Sequence, residues 1–424
     1  MSESYMSDVV KAGSKHQITE ALRRTMAVVL AGGRGSRLAP LTDHRAKPAI
    51  PFGGMFRVVD FPLSNCVNSG VRRVGVLTQY ESHELIQHLQ RGWNFLRADL
   101  NEFVEFWPAE QQTGSESWYM GTADAVYQNL RLILSNDADH ILILAGDHVY
   151  RQDYSLMLQE HLERGALATV ACLEVPTKRA SEFGVMKVNK SGRVLDFVEK
   201  PTAPPQIPNR PGYSLASMGI YLFDAAFLTE QLHRDSQDQT SSHDFGKDIL
   251  PKLVRNKQLF AHRFSDSCVA NEKVPQPYWR DVGTLDAYWS ANLDLTSILP
   301  SLDLYDHNWP IRTYQERRPP AKFVFDEGQR RGQAVGSLIS AGSIISGSTV
   351  RRSLLGTNVH VHSYCLIEDS VILADTDISR HSRLRKVIVD SNCVIPRNFV
   401  AGEDPKSDAE RFFRTPGGIT VISQ

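Results

Sequence analysis

The feature that most restricts the fold lies in the last quarter of the chain. Ile345, Val350, Leu355, Val359, Val361, Leu366, Val371, Ile378, Leu384, Ile388 and Val394 recur about every five or six residues among small and polar ones. Fragments such as Ile345-Ser346-Gly347-Ser348-Thr349-Val350 carry the pattern. It resembles the hexapeptide repeat of a parallel β-helix, in which each coil stacks its aliphatic side chains on the next. An irregular β-sandwich is the alternative for the same spacing.

The earlier part of the chain has a different grammar. Met26-Ala27-Val28-Val29-Leu30-Ala31 is short, β-branched and ended by Gly32-Gly33, which reads as a buried parallel strand entering a loop. Val74-Gly75-Val76-Leu77-Thr78, Ile141-Leu142-Ile143-Leu144 and Thr169-Val170-Ala171-Cys172-Leu173 continue the series. Residues 125–135 place Val126, Leu130, Ile133 and Leu134 at helical spacing, and residues 154–163 are also helical in pattern. Strands alternating with helices imply a parallel sheet covered on both faces, with ligands bound beyond the strands' carboxyl ends. Residues 185–188 and 194–198 form a hairpin around Asn189-Lys190-Ser191-Gly192, and residues 218–223 resume a strand.

With 424 residues the chain is too long for one core. Arg317-Arg318-Pro319-Pro320 and the polar 326–332 stretch interrupt regular structure. The expected organisation is a polar N-terminal extension (1–24), an α/β domain with a mixed sheet (25–300), a linker (301–335) and the β-helix (336–424). Forty-seven Lys and Arg against 48 Asp and Glu leave a formal charge of -1, so the molecule as a whole has no bias toward nucleic acid or anionic membrane. Any phosphate site must be local. Cys66, Cys172, Cys268, Cys365 and Cys393 are scattered without a CxxC pair, which fits a reducing cytoplasm. No apolar run reaches signal-peptide or membrane-span length. His360-Val361-His362 offers two imidazoles with no third ligand evident in the repeat, so it reads as a surface pair and not as a zinc site.

Chemistry concentrates in Leu30-Ala31-Gly32-Gly33-Arg34-Gly35-Ser36-Arg37-Leu38, followed by Pro40-Leu41-Thr42 and Lys47-Pro48. The segment lacks both GxxxxGK[ST] and the third glycine of a dinucleotide fingerprint. What remains is a glycine-rich strand-to-helix loop whose N–H groups cradle phosphate, with Arg37 and Lys47 supplying positive charge. Together with the downstream residues it resembles the signature of sugar-phosphate nucleotidyltransferases.

The resemblance extends over nearly the whole chain. It rests on Arg45-Ala46-Lys47-Pro48-Ala49, Asp60-Phe61-Pro62-Leu63-Ser64-Asn65-Cys66, Trp118-Tyr119-Met120-Gly121-Thr122-Ala123-Asp124-Ala125 and Ile143-Leu144-Ala145-Gly146-Asp147-His148. Phe183-Gly184-Val185-Met186, Leu215-Ala216-Ser217-Met218-Gly219 and Tyr278-Trp279-Arg280-Asp281-Val282-Gly283-Thr284 add to it. These runs are similar to those of bacterial glucose-1-phosphate adenylyltransferases, which join a Rossmann-like GT-A type nucleotidyltransferase domain to a left-handed β-helix. The resemblance implies the reaction of ATP with glucose 1-phosphate to give ADP-glucose and pyrophosphate, the committed step of bacterial glycogen synthesis.

The expected roles follow. Glucose 1-phosphate already carries an anionic oxygen, so no general base is required, and catalysis is positioning plus charge neutralisation. Arg37, Lys47 and Asp147 are the expected catalytic residues. Mg2+ prefers oxygen ligands, which selects Asp147 at a strand end and Asp281. By the resemblance, Tyr119, Gly184, Glu199, Lys200 and Ser217 hold glucose 1-phosphate, while Leu30, Gly32, Gly33, Gln79, Gly121 and Thr122 line the nucleotide side. It further implies a homotetramer responsive to small anionic allosteric effectors, held by Arg45 and Arg57. His44, Pro51 and Met55 depart from residues that relatives carry near the effector pocket. Two other readings stand beside this one: a pyrophosphorylase for another base, making a dTDP- or UDP-sugar, and a catalytically silent regulatory subunit.

Overall fold

The computed structural model describes residues 16–109, 119–208, 210–270 and 274–423. Trp118 and most of the 1–24 extension lie outside them. The N-terminal domain is built on a nine-stranded sheet: β1 (Thr25–Leu30), β2 (Arg73–Thr78), β3 (Phe103–Pro108), β4 (His140–Ala145), β5 (Ala168–Pro176), β6 (Gly184–Val188), β7 (Val194–Glu199), β8 (Tyr213–Asp224) and β9 (Leu259–Arg263). β3, β2, β1 and β4 are parallel neighbours, with Val29 beside both Val76 and Leu144. β8 runs antiparallel to them and makes the sheet mixed.

β1 is apolar at nearly every position because both faces are covered. Met26 and Val28 enter one core, Ala27 and Val29 the other, and all four are fully buried. Parallel register brings the carboxyl ends of β1 and β4 to one edge, so the loops after Leu30 and Ala145 meet. The 218–223 run is the second half of a longer strand, β8. Its first half pairs with β6 and its second with β4, while its other edge carries β5 across a bulge between Ser217 and Tyr221.

The helix expected over 125–135 is divided into Thr122–Gln128 and Leu130–Leu134. Asn129 sits between them, and its amide donates to the Ala125 carbonyl (2.8 Å) and the Tyr119 hydroxyl (2.9 Å). Val126, Leu130 and Ile133 are buried as the spacing predicts, but the break turns Leu134 to solvent.

The C-terminal region is a parallel β-helix of three sheets, one strand per face in each coil, of the left-handed hexapeptide type. Regular strands begin inside the stretch read as linker: Lys322–Val324 pairs with Ile344–Ser346, and Gln333–Val335 with Thr349–Arg351. Arg331 and Arg318 there pair with Asp326 and Glu316, and Arg330 lies over Phe325. Most of the periodic aliphatics point inward, but Val394 is 75% exposed and Leu366 half-buried, because their neighbours Ile395 and Ile367 take the inward positions. The corners place non-glycine residues at positive φ and stack them coil on coil. Arg352 forks onto Asp369, Asn358 donates to Asp375 at 2.7 Å, and Tyr364 stacks on His381. Asp and Asn tolerate this left-handed backbone better than most residues, which accounts for several of the polar positions between the aliphatic ones. Phe399 and Phe412 pack against each other on the β-helix core.

A continuous apolar core joins the two regions. Leu38, Leu41, Phe52, Phe61 and Tyr288 from the first share it with Leu354, Val371, Ile388 and Val421 from the second. Arg45 adds a buried ion pair to Asp390 at 2.9 Å, and the Thr415 hydroxyl donates to Asp286 at 2.8 Å. Among the described residues no helix is long and apolar enough to cross a membrane.

Candidate active site

A cavity of about 430 Å3 opens at the carboxyl ends of β1 and β4. Leu30, Gly32, Gly33, Lys47, Gln79, Tyr119, Gly121, Thr122, Asp147 and Glu199 all line it. These residues come from segments far apart in sequence, and the crossing connections of the sheet bring them to one edge.

The glycine loop is shaped by the space that it must leave. Gly35 has φ of 67°, and a Cβ there would also meet Lys47 Cβ at 2.9 Å. Gly35 therefore lets the loop turn left-handed and pass against the lysine. The Thr42 hydroxyl donates to the Gly35 carbonyl at 2.9 Å and holds the far side of the turn.

Lys47 is the electrostatic centre. Its Nζ lies 2.7 Å from Asp147 and 3.3 Å from Asp281, so one buried ammonium bridges both carboxylates. Burial opposes the lysine's charge, but the two aspartates outweigh it and raise its pKa above the ordinary 10.5. Burial likewise pushes Asp147 upward, yet the Lys47 charge, His148 and the hydrogen bond from Lys47 together hold its carboxyl far below the usual range. Asp281 reaches this point because Trp279–Asp281 pairs with His148–Tyr150, setting Asp281 opposite His148. Gly283 covers the cluster: a Cβ there would meet Asp281 Oδ1 at 2.7 Å, Lys47 Nζ at 3.1 Å and Arg37 Nη2 at 3.2 Å. Arg37 and Lys47 thus both reach the space over Gly283, although Arg37 does not line this cavity.

A second group forms the opposite wall. Glu199, at the end of β7, has its pKa raised by burial, with Asp244 adding to the effect. It sits in a slot that exists because two residues are glycines. A Cβ on either Gly184 or Gly246 would come within 2.7 Å of Glu199 Oε2. The space beside Gly184 is thus taken by Phe197 and Glu199 of the protein itself. Lys200 is largely exposed, 3.7 Å from Glu199 and outside the cavity wall. Ser217 is buried at the β8 bulge and accepts from the Gly219 N–H at 3.3 Å, and Gly219 is the cavity-lining residue.

Asp244, Gly246, Gly219 and Tyr221 line the site without having been singled out in the sequence. Asp244 accepts from the Thr122 hydroxyl at 3.0 Å and caps the turn at Phe245–Ile249 through the Gly246 and Lys247 N–H groups. Its only sequence signal is an Asp two residues before a glycine at a helix start, a pattern shared with any N-cap. Gly121 gives room to the backbone of Ser242 and His243, which explains its small size by packing as well as by position in the cavity.

Arg57 and Arg45 share Glu84, at 3.4 and 3.6 Å, but differ in what else they meet. Arg57 lines a separate cavity of about 640 Å3 at the domain junction, together with Glu84, Arg91 and residues 337–341 of the β-helix. Arg45 is buried against Asp390 and does not line it.

Residues 26–298 match the nucleotidyl transferase family model, and residues 319–422 match that of the GlmU-like C-terminal hexapeptide. The chain is similar to the glucose-1-phosphate adenylyltransferase of Nitrosospira multiformis, 58% identical over 410 residues that cover 97% of this chain and 95% of that protein. It is 57% identical to that of Paramagnetospirillum magneticum over 96% of this chain and 95% of the relative. With the protein of the same name from Dechloromonas aromatica it shares 55% identity over 96% and 92%.

Proposed function

The chain belongs to the glucose-1-phosphate adenylyltransferase family, and from that membership we propose that its cavity transfers the adenylyl group of ATP to glucose 1-phosphate, releasing pyrophosphate and ADP-glucose for glycogen synthesis. The observation that carries this reading is Lys47 held between Asp147 and Asp281 beneath the glycine loop. The enzyme reading is favoured over a silent subunit because Arg37, Lys47, Asp147 and Lys200 are all present.

An oxygen of the glucose 1-phosphate phosphate attacks the α-phosphorus of ATP. The bond from that phosphorus to the bridging oxygen breaks, and pyrophosphate leaves with the electron pair. No proton need be removed from the nucleophile, so the protein's work is to align two polyanions and offset their charge. The loop N–H groups after Leu30 and the Lys47 and Arg37 cations serve the triphosphate. Gln79, Gly121 and Thr122 serve the base and ribose, while Tyr119, Glu199, Lys200 and the β8 bulge at Ser217 serve the sugar phosphate.

Two carboxylates within reach of one ammonium form an all-oxygen donor set that suits a hard divalent ion, so Asp147 and Asp281 fit Mg2+. Bound there, Mg2+ neutralises phosphate charge. Lys47, beside both carboxylates, would add its ammonium charge to that neutralisation.

The test is initial-rate pyrophosphate release with ATP, UTP and dTTP, each crossed against glucose 1-phosphate and N-acetylglucosamine 1-phosphate. ATP with glucose 1-phosphate is expected to give the highest kcat/KM. A higher value for UTP or dTTP would replace the adenylyl assignment with another base.

Lys200→Ala removes an exposed cation proposed to meet the sugar phosphate. KM for glucose 1-phosphate is expected to rise about tenfold or more, the scale of one hydrogen bond to a charged group. KM for ATP should change little, and equal changes in both would mark the lysine as structural. Gly246→Ala presses mainly on the Glu199 carboxylate, where its Cβ would meet Oε2 at 2.7 Å, and more lightly on Asp244 Oδ1 at 3.3 Å. The same selective rise in KM for glucose 1-phosphate is expected, with an unchanged melting temperature.

Regulation is part of the same proposal. The Arg57 guanidinium donates to the Ala49 carbonyl, in the short turn Lys47–Ala49 that carries the catalytic lysine. An anion drawing Arg57 into the junction cavity would therefore pull on the Lys47 turn, which gives the effector a differential contact with two states. In a homotetramer of this cytoplasmic enzyme, Arg57→Ala is expected to abolish the response to small phosphorylated or carboxylate effectors while leaving most unregulated activity. A full response in that variant moves the effector site elsewhere.

A further inference from the structure

The β-helix supplies the third ligand that His360-Val361-His362 lacks in sequence. Val361 points into the core and is fully buried, so the residues on either side of it turn both imidazoles to the outer face of one strand. The next coil sets Asp377 directly beside His360, in the register that pairs Val361 with Ile378. Asp377 Oδ2 lies 3.1 Å from His362 Nε2 and 3.5 Å from His360 Nδ1. The ring centroids are only 4.0 Å apart, and one ligand atom from each of the three residues falls within 4.8 Å of the others.

We propose that His360, His362 and Asp377 form a surface binding site for a borderline divalent transition-metal ion, with Zn2+ as its representative. Two imidazole nitrogens and one carboxylate oxygen suit Zn2+, Co2+, Ni2+ or Cu2+ better than Mg2+, which demands oxygen. Ligand atoms sharing one zinc stand on the order of 3 to 3.5 Å apart at Zn–N and Zn–O distances of about 2.1 Å. Modest side-chain rotation therefore closes the present triangle. The backbone needs no rearrangement, because His360, His362 and Asp377 each donate a main-chain hydrogen bond to the following coil at 2.9 to 3.0 Å. Three protein ligands leave at least one coordination position for water or an external donor. The ion would also link two successive coils, so its binding stabilises the folded repeat by mass action. The site lies on the β-helix, apart from the Asp147 and Asp281 carboxylates, and is independent of the reaction proposed above.

The experiment is Zn2+ titration of the tag-free full-length protein in excess Mg2+, beside the His360→Ala/His362→Ala double variant and Asp377→Asn. The wild type is expected to take up one Zn2+ per chain that the double variant does not, and its melting temperature should rise with Zn2+ only when the histidines are present. Asp377→Asn should weaken the site about tenfold or more, as expected for loss of an anionic ligand. Equal stoichiometry and affinity in wild type and double variant would overturn the site, and unchanged affinity in Asp377→Asn would overturn the three-ligand assignment. Both variants should keep wild-type activity. If either unfolds, the visible absorption of Co2+ added to the wild type decides: nitrogen-ligated bands at one equivalent support the site, and their absence refutes it.

Discussion

Asp147→Asn should lower kcat by roughly two to three orders of magnitude, the scale of losing one key electrostatic group, while the protein stays folded. The amide matches the carboxylate in shape, so the substitution changes charge and little else. In the structure that charge is already committed: Lys47 Nζ stands 2.7 Å away, and the carboxyl is held far below its ordinary value of 3.8. Asp147 is thus anionic near neutral pH, as the proposed Mg2+ site with Asp281 requires. Neutralising it removes half of the proposed ligand set and unbalances the lysine. Circular dichroism and the melting curve report the fold, and steady-state rates at saturating Mg2+ report the chemistry. A near-normal kcat in folded protein would remove Asp147 from the metal site.

Lys47→Met should cost a similar two orders of magnitude or more, and it should also move the pH profile. In the wild type, Asp147 has a depressed folded pKa, so its contribution to stability is full above about 3.8 and is lost as pH falls through the lower folded value. Lys47 has a raised folded pKa, so its contribution is full below about 10.5 and is lost as pH rises through the higher one. Between these limits the cluster contributes a constant amount. Without the ammonium Asp147 loses its main opposing charge and a hydrogen bond, so burial is resisted only by His148 and a backbone hydrogen bond, and its pKa rises. The acid limb of kcat/KM is therefore expected at higher pH in Lys47→Met than in the wild type. A fall in kcat with an unshifted acid limb would mean that Lys47 does not set the charge state of this carboxylate.

Local signals made the strands and the loop legible. β1, β2 and β4 announce themselves because strands buried on both faces are apolar at successive positions, and the glycine loop follows β1 directly. The repeat was legible in its period but not in its phase at Leu366 and Val394, since Leu366-Ile367 and Val394-Ile395 are adjacent apolar pairs of which only one can face inward. Its start was obscured by the charges of residues 316–331, which pair with one another on the outside. Asn129 hid the helix break, because its amide is held by the Tyr119 hydroxyl, which lies outside the helical pattern.

The same division applies to the cavity. Lys47, Asp147 and Glu199 stand at turns or strand ends within recognisable runs. Asp244 and Gly246 acquire meaning only through Thr122 and Glu199, which are distant in sequence. Asp377 is a comparable case, separated from His360 by one full coil. The resemblance pairs Arg45 with Arg57 as effector residues, but of the two only Arg57 lines the junction cavity, because Asp390 draws Arg45 into the buried contact between the domains.

The most direct test of the account follows the phosphorus atom. The protein is incubated with glucose 1-phosphate, Mg2+ and ATP labelled at the α-phosphorus, and the products are separated. Label in ADP-glucose, with equimolar unlabelled pyrophosphate, is the predicted result, and both products should fall together in Asp147→Asn. Recovery of the label as AMP, or in unreacted ATP while UTP or dTTP yields a nucleotide sugar under the same conditions, would contradict the assignment of this cavity to adenylyl transfer.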